Sequence, residues 1–436
     1  MKILHVVHQF PSPPSGGTER VVFALARSMA DAGHDVTIVA GTIEGGTARE
    51  LREGLVEDLR VVKIPREDLF FESWEKAWSP SVGERFAALL RAQRPDVVHV
   101  HHWLRLTTDL VRIARREGVA VVACTLHDYW TQLATPTRPV GLDRPEPPAG
   151  PRWSNEAERR EAFAAHRADL VDELRAADLR FAPSAAHARG IEAFAGVPLG
   201  AIETTPPPLL DVPERRAAPS GPRGRTLLFW GSIYREKGLD VVLDALASVG
   251  GWRLVVLGEV HDPAYRERLA ARCAHLPVEF RGRFTPADLA RVSADYAVVP
   301  ATSHESYGLV IDEARCVGLP LIASDLPSFR EHADPSASLF FTPDDPGSLA
   351  MLLLDDARLL AMREPMPHAV RASESAAQLL ARYADVRAQV RPPLAHAPRF
   401  TGAMRAALLF RRAERRLWSA LQNGGPVVPP EGFLGD

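Results

Sequence analysis

Apolar residues fall into short unbroken runs, separated by stretches with helical spacing. Ile3–His8 is such a run, suited to a strand buried on both faces. A Pro/Ser/Gly loop follows. Thr18–Ala32 then places Val21, Val22, Leu25, Ala26 and Met29 at helical intervals, and Gly33 ends it. His34–Ala40 is the next strand. Val97–Val100, Val119–Thr125 and Leu179–Ala182 are further strand-like runs, with helical patterns between them. This alternation predicts a parallel sheet with helices on both faces. Residues 131–155, rich in Pro and Arg, read as a long loop, either a lid or acceptor loop or a segment without a task.

The clearest boundary is 205–224, TPPPLLDVPERRAAPSGPRG, whose proline and glycine content continues neither a helix nor a central strand. The alternation then restarts. Strands are predicted at Thr226–Trp230, Leu254–Leu257, Val278–Phe280, Tyr296–Val299 and Leu321–Ala323. Helices are predicted at Leu239–Leu246, Pro263–Ala274, Gly308–Val317 and 375–391. The expected fold class is α/β, with two doubly wound parallel-sheet units: 1–204, a linker 205–224, 225–374, and a helical segment 375–436. Open parallel sheets bind ligands beyond the carboxyl ends of their strands, so two facing sheets make a cleft with one wall each.

Composition narrows the class. The 436 residues are 46% hydrophobic with a formal charge of -3, which allows two or three domains and excludes wholesale disorder. Near-neutral charge gives no support to a nucleic-acid partner. Cys124, Cys273 and Cys316 lie far apart with no C-x-x-C pair, which excludes a disulfide framework, argues against a zinc ribbon and fits a reducing cytoplasm. Residues 1–17 lack a long apolar core and cleavage pattern, and no run reaches about 18 apolar residues. Arginine supplies nearly all 52 basic residues. The four lysines are Lys2, Lys63, Lys76 and Lys237.

Five segments carry candidate chemistry. Ser15-Gly16-Gly17-Thr18-Glu19 joins the first strand to its helix, as either a plain turn or a place where free helix N–H groups meet phosphate. It is neither G-x-G-x-x-G nor a Walker loop. Gly231-Ser232-Ile-Tyr-Arg235-Glu-Lys237-Gly238 occupies the same position in the second unit. Its lysine and arginine either reach a diphosphate or form a solvated basic loop. In His304-Glu305-Ser306-Tyr307-Gly308-Leu309-Val310-Ile311-Asp312-Glu313, the two glutamates flank a helix start whose amides at Gly308 and Leu309 lack partners. Asp312 is expected to face solvent. His127 follows a strand, where it either donates to a sugar hydroxyl or is held structurally. His99, His101 and His102 have strand-like spacing and no acidic neighbours in sequence, so no metal is expected. There is no Asp-x-Asp and no G-x-S-x-G.

These residues together resemble the family 4 glycosyltransferases of GT-B fold. The most specific mark is E-S-Y-G-L-V-I-D-E-A-R-C-V-G-L-P at 305–320. P-P-S-G-G-T-E-R at 13–20, P-D-V-V-H-V-H-H at 95–102, T-L-H-D-Y-W at 125–130 and G-S-I-Y-R-E-K-G at 231–238 support it. The resemblance, over roughly 1–391, implies two facing Rossmann-like domains and metal-independent, retaining transfer from a nucleotide-sugar to a carbohydrate or lipid-linked acceptor. Glu305 would hold donor-sugar hydroxyls and Glu313 the nucleotide ribose. Lys237, with Arg235, would bind the diphosphate. Amides at Tyr307, Gly308 and Leu309 would assist, with Gly16 and Gly17 on the opposite wall. His127 would contact the sugar near its reactive carbon, and Arg283 would approach the base. Ser232 stands where the family often has arginine: Arg235 substitutes for it, or diphosphate binding is weaker. Thr205-Pro-Pro-Pro stands where the family often has Asn-Gly. A non-catalytic sugar-nucleotide scaffold, and an epimerase, disaccharide synthase or phosphorylase of the same fold, are the alternatives.

The tail 399–421 places Phe410, Ala413, Leu417, Ala420 and Leu421 on one helical arc and Arg411, Arg412, Arg415 and Arg416 on the other. It either attaches to anionic membrane or packs back on the first domain. The expected location is accordingly the cytoplasm, or the inner face of its membrane.

Overall fold

The computed structural model describes residues 1–11, 16–42, 50–66, 74, 77–147, 156–216, 223–260 and 262–389. Ser15 and the amphipathic segment 399–421 lie outside the described residues.

The first half is built on β1 (Lys2–Val7), β2 (Asp35–Thr42), β3 (Arg52–Val56), β4 (Leu59–Pro65), β5 (Val97–Val100) and β6 (Val121–Thr125). A two-residue strand, β7 (Arg138–Pro139), follows, then β8 (Leu179–Ala182) and β9 (Glu203–Thr204). All but β7 form one sheet in the order β3-β4-β2-β1-β5-β6-β8-β9. It is parallel except for the β3–β4 pair. β1 lies between β2 and β5, and its alternate side chains enter the apolar clusters on opposite faces of the sheet, Leu4 and Val6 on one and Ile3 and Val7 on the other, which is why its apolar run has no exposed face.

The second half carries β10 (Thr226–Trp230), β11 (Arg253–Leu257), β12 (Val278–Gly282), β13 (Tyr296–Val299), β15 (Leu321–Ser324) and β16 (Ser338–Phe341). They form an all-parallel sheet in the order β12-β11-β10-β13-β15-β16. β14 (Ser303–His304) leaves this sheet and pairs antiparallel with β7 of the first half. Apolar clusters cover both faces of each sheet. The helix Ala372–Arg387 returns to the first half. Its Ala376, Leu379, Tyr383 and Val386 join the cluster under helix Gly17–Asp31, and Arg382–Glu203 and Arg387–Asp96 pairs flank it.

Some expectations need correction. Residues 131–155 do not read as loop throughout: Trp130–Leu133 is one helical turn, and β7 lies within the segment. The predicted strand Val119–Thr125 starts only at Val121, because the Val119 N–H still bonds Ala114 O of the preceding helix. The β3–β4 hairpin went unread. Its two-residue turn places Glu57 and Asp58 at φ 45 and 67 without the glycine that usually marks such a turn, and Leu55 on β3 is exposed.

Candidate active site

The strand-to-helix turn after β10 is fixed by glycines. Gly231 has φ 124 and Gly238 φ 72, and a Cβ at Gly238 would lie 1.8 Å from the Pro300 carbonyl oxygen. The turn is therefore pressed on the loop after β13, and the Thr302 N–H donates to Glu236 O at 2.9 Å. Arg235–Lys237 form a single 3-10 turn, and Lys237 Nζ donates to Glu305 Oε1 at 2.6 Å. The Lys237 and Glu305 side chains are 25% and 22% exposed. Desolvation opposes the Lys237 charge, but the Glu305 carboxylate and Tyr234, whose ring centroid lies 5.4 Å away, outweigh it and hold the ammonium above its ordinary pKa. Arg235 and Ser232 are exposed on the same turn.

Glu305 lies between β14 and helix Leu309–Val317, whose N-cap is Gly308 at φ 98 with no side-chain cap. A Cβ there would stand 2.6 Å from the Phe329 ring, so the position requires glycine on both grounds. The amides at this helix start are left without a side-chain acceptor. Tyr307 turns inward. Its ring stacks on His332 at 3.9 Å and its hydroxyl donates to Asp312 Oδ2 at 2.9 Å, so only its backbone is placed to serve a ligand. Asp312, expected to face solvent, is fully buried, and burial raises its pKa to about 7. Glu313 is also buried, and Trp230 Nε1–H donates to its Oε2 at 2.6 Å. Desolvation raises the Glu313 pKa, opposed by Trp230 and by Arg20 from the first half.

The two halves meet at this same loop. Ser184 Oγ donates to Ser306 O at 2.6 Å, and Leu309 packs against the cluster under helix Gly17–Asp31. On the facing wall, Gly16 caps that helix. A Cβ at Gly16 would fall 2.1 Å from Glu19 Oε2, and Gly17 has open space. Glu19 is buried beside Gln9 and lies 3.4 Å from His8 Nε2. This part of the wall thus carries a carboxylate as well as helix amides. His127, partly exposed, lines a cavity with Thr125, Thr205, Pro206 and Pro207. Its Nε2 is 2.9 Å from His101 Nδ1. Burial lowers its pKa to about 3.

The structure brings Lys237 and Glu305 into contact and sets Gly308 and Leu309 beside them. It leaves Arg283 apart: that side chain is 84% exposed and pairs with Glu259 at 2.7 Å. Trp230, Tyr234, Ser184 and His101 went unread as site residues. Trp230, Ser184 and His101 act through partners remote in sequence, and Tyr234 through Lys237, three positions on. Ring nitrogens of His5, His99 and His101 lie within 4.8 Å of one another, a spacing open to a cation. However, His5 Nδ1 and His101 Nε2 are bonded to each other at 2.9 Å, and both His99 nitrogens are engaged, by the Tyr383 hydroxyl and by Thr125 Oγ1. Among the described residues no helix is long and apolar enough to cross a membrane.

Residues 15–209 match the profile of Glycosyltransferase Family 4, and residues 224–355 that of Glycosyl transferases group 1. The phosphatidyl-myo-inositol mannosyltransferase of Mycolicibacterium smegmatis is 26% identical over 360 residues, which cover 79% of this chain and 83% of that protein. The D-inositol 3-phosphate glycosyltransferase of Jonesia denitrificans is 29% identical over 367 residues, with coverage of 76% and 80%. Among solved structures, the sucrose-phosphate synthase of Thermosynechococcus elongatus superposes with a TM-score of 0.60 at 19% identity, over 96% of this chain and 100% of that one. The two parallel sheets are those of the GT-B fold. The chain belongs to the glycosyltransferases that join a Family 4 amino-terminal half to a group 1 carboxyl-terminal half.

Proposed function

We propose that this glycosyltransferase moves a sugar, with retention of anomeric configuration, from a nucleoside diphosphate sugar to an acceptor hydroxyl in glycoconjugate or polysaccharide synthesis. The observation that carries the reading is the Lys237–Glu305 pair at 2.6 Å beside the uncapped start of helix Leu309–Val317. A cation and free amides at one point suit the diphosphate. A carboxylate touching that cation suits sugar hydroxyls. As the bond from the anomeric carbon to phosphate breaks, charge grows on the leaving oxygens. Lys237, Arg235 and the amides of Gly308 and Leu309 stabilise that charge without a metal. The acceptor oxygen bonds the anomeric carbon from the same face and passes its proton to the departing phosphate. Glu313 takes the ribose, and Gly16 and Gly17 approach the phosphate from the facing wall. Ser232 flanks the diphosphate, and Arg283, apart from this cluster and paired with Glu259, takes no part in the reading. The names of the inositol-directed relatives favour a polyol or lipid-linked acceptor.

Thermal unfolding in the presence of UDP, GDP, ADP and their sugars tests the donor side. The right nucleotide at 100 times its dissociation constant adds about 2.7 kcal/mol of stability. Silence across the whole panel overturns the nucleotide-sugar reading. Proton NMR of the product reads the anomeric configuration, and inversion overturns the retaining mechanism.

A further inference from the structure

Behind His127 the first sheet holds a line of imidazoles. His5 Nδ1 is 2.9 Å from His101 Nε2, and His101 Nδ1 is 2.9 Å from His127 Nε2. The line crosses the middle of the sheet. His5 sits in β1, His101 directly follows β5, and His127 lies two residues past β6. His5 and His101 are 0% and 1% exposed. His99, in register with His5, stacks on His101 at 4.1 Å and is itself anchored by Tyr383 and Thr125. Desolvation lowers the pKa of every ring in the line, to about 4 at His5 and about 3 at His127. The three rings are therefore neutral.

A neutral imidazole carries one N–H and one lone pair. Three rings joined by two hydrogen bonds consequently share one choice: each donates toward His127, or each donates toward His5. Donation toward His5 leaves His5 with its proton on Nε2, and that nitrogen is buried with no hydrogen-bond partner. Donation toward His127 leaves only a lone pair there. A buried N–H without an acceptor is the rarer and costlier defect. With donation toward His127, His5 Nδ1–H donates to His101, His101 Nδ1–H donates to His127 Nε2, and His127 keeps its own proton on Nδ1.

We infer that His101, backed by His5, is a positioning residue that fixes His127 as the Nδ1–H tautomer, so that His127 meets the donor sugar as a hydrogen-bond donor and never as a base. The identity of the group that accepts from His127 rests on the transferase reading; the tautomer does not. The tautomer also conflicts with a cation held by His5, His99 and His101, because both His101 nitrogens are already engaged, one by His5 and one by His127.

Two-bond 1H–15N correlation spectra of ligand-free, 15N-labelled full-length protein read each ring directly, with the His127 signals assigned by their loss in His127→Gln. The expected result is a pyrrole-type Nδ1 and a pyridine-type Nε2 at His127. In His101→Phe the pattern changes to Nε2–H or a mixture, and kcat falls about 10- to 100-fold. His101→Gln, whose amide can donate to His127 Nε2, restores both. A wild-type His127 protonated on Nε2, a pattern unchanged in His101→Phe, or zinc retained stoichiometrically with metal-type shifts at His5 and His99 each overturns the inference. If His101→Phe does not fold, the wild-type spectrum alone decides. Because the spectrum needs no substrate, it stands even if no donor sugar is turned over.

Discussion

The two walls of the cleft place polar groups under cover by opposite means. The amino-terminal wall uses neutral imidazoles: His5 and His101 are essentially unexposed, and every ring behind His127 is uncharged. The carboxyl-terminal wall uses an ion pair, Lys237–Glu305, whose side chains keep 25% and 22% of their surface. Burial accounts for the difference. A charge in the middle of a parallel sheet would need a partner and full hydrogen bonding to offset desolvation, whereas an imidazole can lose its proton and remain a donor. The charge suited to a diphosphate thus sits where water still reaches, and the facing wall offers dipoles, the Glu19 carboxylate and the Arg20 cation that acts on Glu313.

Acidification should show the largest contrast. His5, His166 and His187 are lowered to about 4 and His127 to about 3, all by burial in the first half. Between the ordinary histidine value of about 6.5 and these values, the unfolded chain binds protons that the folded chain refuses. Their stabilising contribution is therefore complete above about pH 6.5 and falls with pH by about 1.4 kcal/mol per unit for each ring. Glu173, raised to about 7 by burial, has the opposite sign and offsets one of them. Among the described residues of the second half, His304 and His332 are lowered to about 4 and burial also lowers His368, against Asp312 raised to about 7. The first half should lose several kcal/mol more than the second between pH 7 and 5. Hydrogen exchange resolved by half at the two pH values measures it, and equal loss of protection in both halves breaks the contrast.

Lys237→Ala should have the next largest effect. Removing one charge-assisted contact to the leaving group raises the barrier by about 2–4 kcal/mol, read as kcat/KM. The substitution also strips Glu305 of its partner. A cycle with Glu305→Gln therefore separates lost phosphate contact from a released carboxylate. Unchanged turnover in Lys237→Ala would mean that the working charge lies elsewhere.

The strands were legible because parallel strands are buried on both faces and read as unbroken apolar runs. Val97–Val100, Leu179–Ala182, Thr226–Trp230 and Tyr296–Val299 have the predicted bounds. Lys237 and Glu305 were legible as residues, each in a turn marked by glycine. Their contact was not, since 68 positions separate them and a glycine pressed on Pro300 brings them together. The histidine line was illegible for the same reason: His5 and His101 are 96 positions apart. One signal was present all the same. A histidine in the middle of a strand with no exposed face must have a partner, and His5 in β1 is such a residue. Asp312 was misread because its partner, the Tyr307 hydroxyl, comes from the turn before its own helix, where spacing alone does not reveal it.

The smallest effect belongs to a charge pair that spans the two halves. Arg189, on helix Ala185–Ala195, pairs with Glu331, on helix Pro327–His332, at 3.0 Å, and their side chains are 67% and 28% exposed. An arginine so exposed gains little Coulomb energy and loses side-chain freedom when held, so Arg189→Ala should shift stability by about 0–1 kcal/mol. Besides the Arg382–Glu203 and Arg387–Asp96 pairs of the returning helix, the halves meet through β14 on β7, Ser184 on the Ser306 carbonyl and Leu309 in the apolar cluster, contacts that added salt does not screen. Urea unfolding of Arg189→Ala at low and high salt gives the measurement. A loss well above 1 kcal/mol that disappears at high salt would show the halves held by charge, and the neutral character assigned to the amino-terminal wall would then stop short of its edge.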